Sequence, residues 1–238
     1  MRDRLENVPK WSKGGPPHLV EIIAISFEFV KCNKAQKKSQ TNPTSAAGQV
    51  TILVNNAGIV TGKPLLDSPD NLIQRTFDVN VLAHFWTVKA FLPDMLINDK
   101  GHIVTVASLA GLSGCNKLVD YCASKFAAVG FDESLRIELK VAGKNNIKTT
   151  VVCPYYVKTP LFEGASSKIL PILEPEQVAA ETINGILTNK EMVIIPGSCA
   201  VLAALKTIIP FKAFMKLFEG LGGAVLLEDF EGYTKKRS

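Results

Sequence analysis

Four short apolar runs recur along the chain, and each is rich in β-branched residues, which is the pattern of buried strands. They are Val50–Asn55, residues 102–107, residues 147–153 and Met192–Ile195. Turn-forming or polar residues bound each run. The sequence therefore predicts four strands.

The segments between these runs have the longer periodicity of helices. Helices are predicted over about residues 69–97, 120–142 and 175–187, the first with a break near Pro93. Ser68 is its candidate N-cap, with Pro69 at the first helical position, and Gly101 and Gly143 end the first and second helices.

Strands that alternate with helices predict βαβ units and a parallel sheet, so the expected fold is α/β and doubly wound, without its first βαβ units. Ligands of such sheets bind at the carboxyl ends of the strands. We therefore expect the chemistry to lie just after Asn55, Ala107 and Cys153.

The first 49 residues are harder to interpret. Residues 19–30 fit either one strand or a short helix, and residues 31–48 are polar and predict a linker. We divide the chain into a divergent segment (1–49), a catalytic domain (50–198) and an apolar, basic C-terminal extension (199–238).

The composition is that of a globular protein. The 238 residues are 47% hydrophobic and 21% charged, which allows a sizeable core and excludes a disordered chain. No apolar, uncharged stretch reaches the ~18 residues that a transmembrane helix needs. The first residues are polar, so no signal peptide is predicted.

The net charge of +5 is unevenly distributed: +4 in residues 1–40, −1 in 41–189 and +2 in 190–238. Basic ends beside apolar segments suit either an anionic membrane surface or solvated tails. No nucleic-acid motif accompanies them, so we expect no nucleic-acid partner.

The cysteines predict free thiols, because their number is odd and none forms a Cys-x-x-Cys pair. None lies at zinc-ligand spacing with the three histidines, so we expect no metal site. The five are Cys32, Cys115, Cys122, Cys153 and Cys199.

Tyr121 and Lys125 carry the main candidate chemistry. They are four residues apart on a predicted helix, hence adjacent on one face. A neighbouring ammonium favours the phenolate and lowers the pKa of a tyrosine, which can then exchange a proton with an alcohol or a carbonyl oxygen. Taken alone, such a pair is more often an ordinary surface tyrosine and lysine.

Two further polar residues strengthen the catalytic interpretation. Ser108 ends the preceding strand, where its hydroxyl can bind the same substrate oxygen. Asn80 falls inside a predicted helix, where asparagine is intrinsically unfavourable, which indicates a role other than helix propensity.

These motifs together resemble those of the short-chain dehydrogenases/reductases, in order and at similar spacing. The resemblance covers about residues 50–195, and segments such as NNAGIVTGK and DYCASKFAAVGF are most similar to the retinol and 17β-hydroxysteroid dehydrogenase branch. The motif residues are Asn55-Asn56-Ala57-Gly58, Asn80, Ser108, Tyr121, Lys125, and Pro154 through Thr159.

The resemblance implies a role for each motif residue. Tyr121 is the proton donor or acceptor, Lys125 lowers its pKa and holds the nicotinamide ribose, and Ser108 orients the substrate oxygen. Asn80 anchors a water that links Lys125 to solvent. The expected cofactor contacts are Asn55, Ala57 and Gly58 on the adenosine side, and Pro154, Val157 and Thr159 on the nicotinamide side.

The resemblance further implies an oxidoreductase that uses NAD or NADP, acts on a lipophilic alcohol or carbonyl such as a retinoid or hydroxysteroid, and forms a homodimer. One motif is missing: no Gly-rich T-G-x-x-x-G-x-G turn precedes Val50, and Gly14-Gly15-Pro16-Pro17 cannot replace it, because prolines lack the N–H donor. The alternative is a catalytically impaired binding protein that has lost the dinucleotide phosphate loop.

The C-terminal stretch 201–222 alternates Leu, Ile and Phe with Lys206, Lys212 and Lys216. A basic amphipathic helix of this kind is typical of a membrane interface. A lid over the substrate pocket and a dimer contact are the alternatives. We expect the protein to be located on the cytoplasmic side of the endoplasmic reticulum membrane or on a lipid droplet. The alternative location is the cytoplasm.

Overall fold

The computed structural model of the chain describes residues 21–24, 50–162 and 170–220. Five parallel strands form one sheet in chain order: β1 (Glu21–Ala24), β2 (Val50–Asn55), β3 (Gly101–Val106), β4 (Ile147–Pro154) and β5 (Met192–Ile195). The four predicted strands are confirmed to within a residue. Of the ambiguous stretch 19–30, the described residues 21–24 form a strand, β1, whose backbone pairs with β2.

Helices connect and cover the strands. They are α1 (Asp70–Phe77), α2 (Ala83–Ile97), α3 (Val119–Val141), α4 (Pro175–Leu187), α5 (Cys199–Ile208) and α6 (Phe211–Gly220). The parallel order and the covering helices confirm the doubly wound α/β class.

The break in the first predicted helix lies elsewhere than expected. A π-helical segment, Asp78–Leu82, separates α1 from α2, whereas Pro93 lies inside α2 without ending it. A proline inside a helix costs about 3 kcal/mol, and here the buried side chains of Phe91 and Met95 hold the helix against the sheet on both sides of it.

The predicted helix ends also differ in detail. Pro69 is the N-cap of α1, and the Ser68 hydroxyl instead donates to the Pro64 carbonyl at 3.0 Å. α2 ends at Ile97, and Gly101 is the first residue of β3 rather than the end of the helix. Gly143, at a φ of 73°, follows the end of α3 as predicted.

The two faces of the sheet have separate cores. Leu53 and Ile103 point towards α2 and α3, where Phe91 and Leu139 pack on them. The next residue of β3, Val104, points to the other face, in a cluster with Val152, Val193 and the half-buried Val178 of α4. This alternation follows from the two-residue period of a strand.

The C-terminal stretch is two helices rather than one. α5 ends at Ile208, Ile209 is extended, and Pro210 precedes α6, as expected for a residue that cannot continue a helix. Among the described helices, none is both long and apolar enough to cross a bilayer.

Some predictions concern residues outside the described part. These are the linker at 31–48, the Gly14-Gly15-Pro16-Pro17 segment, Cys32 and the last residues from 221 onward. The four described cysteines are free; Cys122, Cys153 and Cys199 are buried and Cys115 is half-buried.

Candidate active site

The carboxyl ends of β3 and β4 and the first turns of α3 meet at one point. Ser108 lies two residues after β3 and accepts a hydrogen bond from the Ala110 N–H at 3.1 Å. Its hydroxyl lies 3.4 Å from the Pro154 carbonyl at the end of β4, to which it donates. It also hydrogen-bonds the Tyr121 phenol. The predicted serine and tyrosine are thus brought together.

Tyr121 is 3% exposed and forms part of a cavity wall. Burial raises its pKa, because an apolar surrounding disfavours the phenolate, while the hydrogen bond with Ser108 acts in the opposite direction. The expectation that Lys125 brings the pKa of Tyr121 below its usual range is therefore not met here. The Lys125 Nζ atom lies 5.7 Å from the ring centroid.

Lys125 lies one turn further along α3, and it is also 3% exposed. Its Nζ atom donates to the Val106 carbonyl at 2.8 Å, across the end of β3. Burial lowers the pKa of Lys125 to about 8, so the ammonium is poised to titrate close to neutral pH.

Asn80 occupies the centre of the π-helical segment and is fully buried. Its amide nitrogen donates to the Ile59 carbonyl at 2.9 Å and to the Ser124 hydroxyl at 3.0 Å, while its oxygen accepts the Ile59 N–H at 2.9 Å. Both amide protons are used within the protein, so the Asn80 side chain fastens the loop after β2 to α3.

Two glycines lie beside Lys125. A Cβ atom on Gly58 would lie 3.6 Å from Lys125 Nζ and 3.7 Å from Asn80 Oδ1, which are ordinary van der Waals distances. A Cβ atom on Gly111 would lie only 2.6 Å from the Lys125 carbonyl oxygen. Gly111 therefore lets the turn after Ser108 rest directly on α3.

Asn55 lies apart from the catalytic cluster, at the end of β2. Its side-chain oxygen accepts a hydrogen bond from the Thr87 hydroxyl at 2.8 Å, and its buried amide nitrogen has no hydrogen-bond partner among the described residues. Nearby, burial and the charge of Lys125 lower the pKa of His84 to about 3. His84 is therefore neutral.

The remaining predicted cofactor contacts lie in the loop after β2 and at or beyond the end of β4. Ala57 is half-buried in the loop after β2. Beyond β4, Val157 forms a parallel bridge with Leu173, and the Thr159 hydroxyl lies 3.4 Å from the Val157 carbonyl. Pro154 lines the cavity beside Ser108.

A cavity of about 910 Å³, counted with its mouth, opens onto Ser108 and Tyr121. Apart from these two residues its walls are mainly apolar and aromatic. α5 and α6 line one side with Leu202, Phe214, Leu217 and Phe218. Lys206 of α5 donates to the Leu112 carbonyl at 2.8 Å and lies over the Phe126 ring.

Sequence reasoning missed several wall residues. Tyr156 lies 5.1 Å from Phe162, ring centre to ring centre, and the Phe162 ring in turn packs edge-on against Tyr121. The signal was available, since two consecutive tyrosines directly follow the Pro154 strand end. Cys115 and Leu118 also line the cavity, with no comparable signal in the sequence.

The family model described as "short chain dehydrogenase" matches residues 17–169. Among curated proteins, the chain is 50% identical over 186 residues to short-chain dehydrogenase/reductase family 16C member 6 of Bos taurus, covering 77% of this chain and 59% of that protein. It is 47% identical over 192 residues to epidermal retinol dehydrogenase 2 of Homo sapiens, covering 79% of this chain and 62% of that protein. The chain thus spans about three-fifths of the length of these relatives.

Among solved structures, the chain is similar to a short chain dehydrogenase/reductase from Burkholderia phymatum in complex with NAD. The TM-score is 0.61 and the sequence identity 27%, over 69% of this chain and 68% of that one. The two proteins thus share the doubly wound fold over that part of their length.

Proposed function

The chain belongs to the short-chain dehydrogenase/reductase family, and on that premise we propose that it is an oxidoreductase that moves a hydride between a nicotinamide cofactor and the carbon of a lipophilic alcohol or carbonyl. The observation that carries the proposal is the convergence of Ser108, Tyr121 and Lys125 at the end of an apolar cavity. An alcohol carbon in that cavity would face both hydroxyl groups.

The residues around Lys125 fit the nicotinamide half of NAD or NADP. The Lys125 ammonium suits a ribose, whose hydroxyls accept hydrogen bonds from an amine. Pro154, Val157 and Thr159 stand at the strand end expected to meet the nicotinamide amide. A bound nicotinamide would supply the hydride acceptor for alcohol oxidation and the hydride donor for carbonyl reduction.

The protein's own residues perform the proton transfer. In the reduction direction the Tyr121 phenol gives its proton to the carbonyl oxygen, and in the oxidation direction the Tyr121 phenolate takes the hydroxyl proton. The Ser108 hydroxyl holds the same oxygen in place. The Lys125 ammonium stabilises the deprotonated form of Tyr121. With a pKa of about 8, Lys125 is mostly charged at neutral pH.

The apolar walls favour a lipophilic substrate. Leu118, Phe162 and Phe214 surround the space beyond Tyr121, and the hydroxyls of Ser108 and Tyr121 can orient a ligand at its end. Retinol and hydroxysteroids are substrates of this kind. The printed name of epidermal retinol dehydrogenase 2, a relative at 47% identity, supports the retinoid.

Membrane association and dimerisation are further parts of the proposal. Val201, Ile208 and Phe211 are exposed on α5 and α6 beside lysines, which suits the cytoplasmic surface of the endoplasmic reticulum or a lipid droplet.

Phe85 and Trp86 of α2 are also exposed, which suits a homodimer contact. Sedimentation of the purified chain tests whether it forms a dimer.

The decisive experiment on the proposed activity is the Tyr121→Phe variant, assayed for retinol-dependent reduction of NAD or NADP. Phenylalanine keeps the ring in the cavity and removes the transferable proton, so we expect turnover to fall by ~10²–10⁴-fold. Tyr156→Phe is the matched control, because it removes another phenol from the cavity wall; we expect it to retain kcat. A Tyr121→Phe rate near that of the wild type excludes the assignment.

A second candidate function is a binding protein without turnover. The observation favouring it is the missing Gly-rich motif before Val50. Titration calorimetry with NAD(H) and NADP(H) separates the two functions. Micromolar binding supports the enzyme, and no binding up to millimolar concentration supports the binding protein.

A further inference from the structure

Two cysteines pack together beside Tyr121, and one of them, Cys115, lies in the cavity wall. Cys115 is half-buried in the loop before α3 and lines the cavity, while Cys122 is 6% exposed on the first turn of α3. Both belong to one apolar cluster, and their side chains are joined by a hydrogen bond. The proton transfer proposed above uses neither of them.

The backbone holds the pair in register. The Leu118 N–H donates to the Cys115 carbonyl at 3.4 Å, and the Cys122 N–H donates to the Leu118 carbonyl at 2.7 Å. A turn is thus followed directly by the first turn of the helix, which brings two residues seven apart in sequence side by side. The Cys115 N–H also faces the Cys122 sulfur as a hydrogen-bond donor.

The surroundings give the two thiols different protonation. The hydrogen bond from the Cys115 thiol lowers the pKa of Cys122, as does the charge of Lys206, while burial and Asp120 act in the opposite direction. The same hydrogen bond and burial raise the pKa of Cys115. Cys122 therefore ionises first, and Cys115 keeps its proton. A low-pKa cysteine beside a second thiol is the arrangement of redox-active pairs.

We propose that Cys115 and Cys122 form a redox-active dithiol, which a hydroperoxide oxidises to a disulfide. The Cys122 thiolate attacks the terminal peroxide oxygen, the O–O bond breaks, and the alkoxide or hydroxide leaves and takes up a proton. Cys122 is then a sulfenic acid. The Cys115 sulfur displaces its hydroxyl, which leaves as water with the thiol proton. Overall, two thiols and one hydroperoxide give one disulfide, one alcohol (or water) and one water.

The disulfide joins the cavity wall to the helix that carries Tyr121. Cys122 directly follows Tyr121 in α3, and Cys115 belongs to the loop that leads into this helix. Oxidation therefore changes the shape of the wall next to the reacting atoms. We expect it to alter the KM for a lipophilic alcohol, whereas the bond itself forms whether or not the chain turns over a substrate.

Peptide mapping of the full chain tests the proposal. The reduced protein is treated with hydrogen peroxide, the remaining thiols are alkylated, and trypsin cleaves after Lys117, between the two cysteines. We expect a linked pair of peptides, 101–117 and 118–125, that dithiothreitol separates. Cys199→Ser, which removes another thiol of the same cavity, should leave this linkage intact.

The Cys115→Ser variant tests the order of events. Without the second thiol, Cys122 should stop at the sulfenic acid, which dimedone labels. Quantitative alkylation of Cys122 after peroxide treatment of the wild type overturns the proposal, and so does a disulfide that maps to Cys32, Cys153 or Cys199. The wild-type map decides the question even if a variant fails to fold.

Discussion

Burial favours the neutral form of both Tyr121 and Lys125. It raises the pKa of the phenol and lowers that of the amine, since each charged form loses hydration. The two effects bring the pKa of Lys125 to about 8 and keep Tyr121 protonated at neutral pH. Tyr121 is therefore held as a proton donor, the form that carbonyl reduction needs.

Stability against pH gives a test of the state of Lys125. Its pKa in the folded chain, about 8, lies below the ordinary value of 10.5. Between these two values the unfolded chain binds more protons, so the free energy of unfolding rises with pH across that window. At pH 7 the lowered pKa of Lys125 reduces the free energy of unfolding by its full amount. This is about 3 kcal/mol, because one pKa unit corresponds to about 1.36 kcal/mol.

We therefore expect Lys125→Met to raise the free energy of unfolding at pH 7 by up to about 3 kcal/mol. The variant should also lose the rise in stability between pH 8 and 10, while its nicotinamide affinity and its rate fall. Urea unfolding at several pH values measures the effect. Lys140→Met, at an exposed position of the same helix, should change stability by less than about 0.5 kcal/mol. A Lys125→Met variant less stable than the wild type at pH 7 contradicts the argument.

At the scale of elements, four of the five strands could be predicted almost to the residue, whereas β1 was left open and the π-helical segment was not predicted. A continuous apolar run ending in turn residues has one interpretation in a parallel sheet, as β3 and β4 show. A π segment keeps the helical pattern of side chains, so the periodicity over residues 69–97 gave no sign of it. Only Asn80, an unfavourable residue in a helix, indicated the position of the π-helical segment. Its presence there is explained by tertiary hydrogen bonds to Ile59 and Ser124.

The site could be predicted in part for the same reason. Ser108, Tyr121 and Lys125 follow from strand ends and helical spacing, which are local features of the sequence. The contacts of Cys115 and Tyr156 depend on how loops fold over the cavity, and no local pattern specifies that. The direction of the Tyr121 pKa shift was also beyond reach, because it depends on burial rather than on its neighbour along the helix.

The close contact between the turn at Gly111 and α3 gives a prediction at this scale. An added Cβ atom would lie 2.6 Å from the Lys125 carbonyl oxygen, and a helix backbone cannot move aside as a flexible side chain would. We expect Gly111→Ala to push the turn and Ser108 away from Tyr121, to destabilise the fold by about 1–3 kcal/mol and to lower kcat at least tenfold. Urea unfolding and steady-state assays measure both effects. Gly114→Ala is the matched control, since no atom lies within 4 Å of its added Cβ; equal behaviour of the two variants would show that the contact is unimportant.

For the whole molecule, the C-terminal helices combine two surfaces. Phe214 and Phe218 face the cavity, whereas Ile208 and Phe211 are 76% and 73% exposed. A lipid substrate could thus pass from a membrane bound on the outer surface into the cavity behind it. Deleting residues 201–238 should release the chain from membranes, but it also opens the cavity.

The double variant Ile208→Ser, Phe211→Ser separates the two surfaces. We expect it to lose sedimentation with vesicles that contain anionic lipid, because burial of these side chains in the interface provides the binding free energy, at about 25 cal/mol per Å². Thermal stability should change little. Leu202→Ser, a change inside the cavity, is the control that should keep vesicle binding and impair the substrate KM. Equal sedimentation of the double variant and the wild type would exclude these residues as the membrane contact.

The affinity for the dinucleotide depends on the residues that come after β1 in the chain. β1 lies beside β2, so its carboxyl end at Ala24 opens onto the same edge of the sheet as Ser108 and the end of β4. In this fold that position supplies backbone N–H groups to the pyrophosphate through a turn that glycines allow to come close. Here residues 25–47 contain no glycine.

We therefore expect the 238-residue chain to bind NAD(H) far more weakly than relatives that carry the glycine turn. Each lost charge-assisted hydrogen bond accounts for about 1.5–3 kcal/mol, so losing a few weakens Kd by several powers of ten. Titration calorimetry measures it, and grafting a relative's strand, glycine turn and helix ahead of Val50 should restore micromolar affinity. The grafted and the ungrafted chain share the residues around Lys125, Val157 and Thr159. The difference in Kd between them therefore measures the contribution of the pyrophosphate contacts. Micromolar binding by the ungrafted chain would show instead that residues 1–49 supply a phosphate site without glycines.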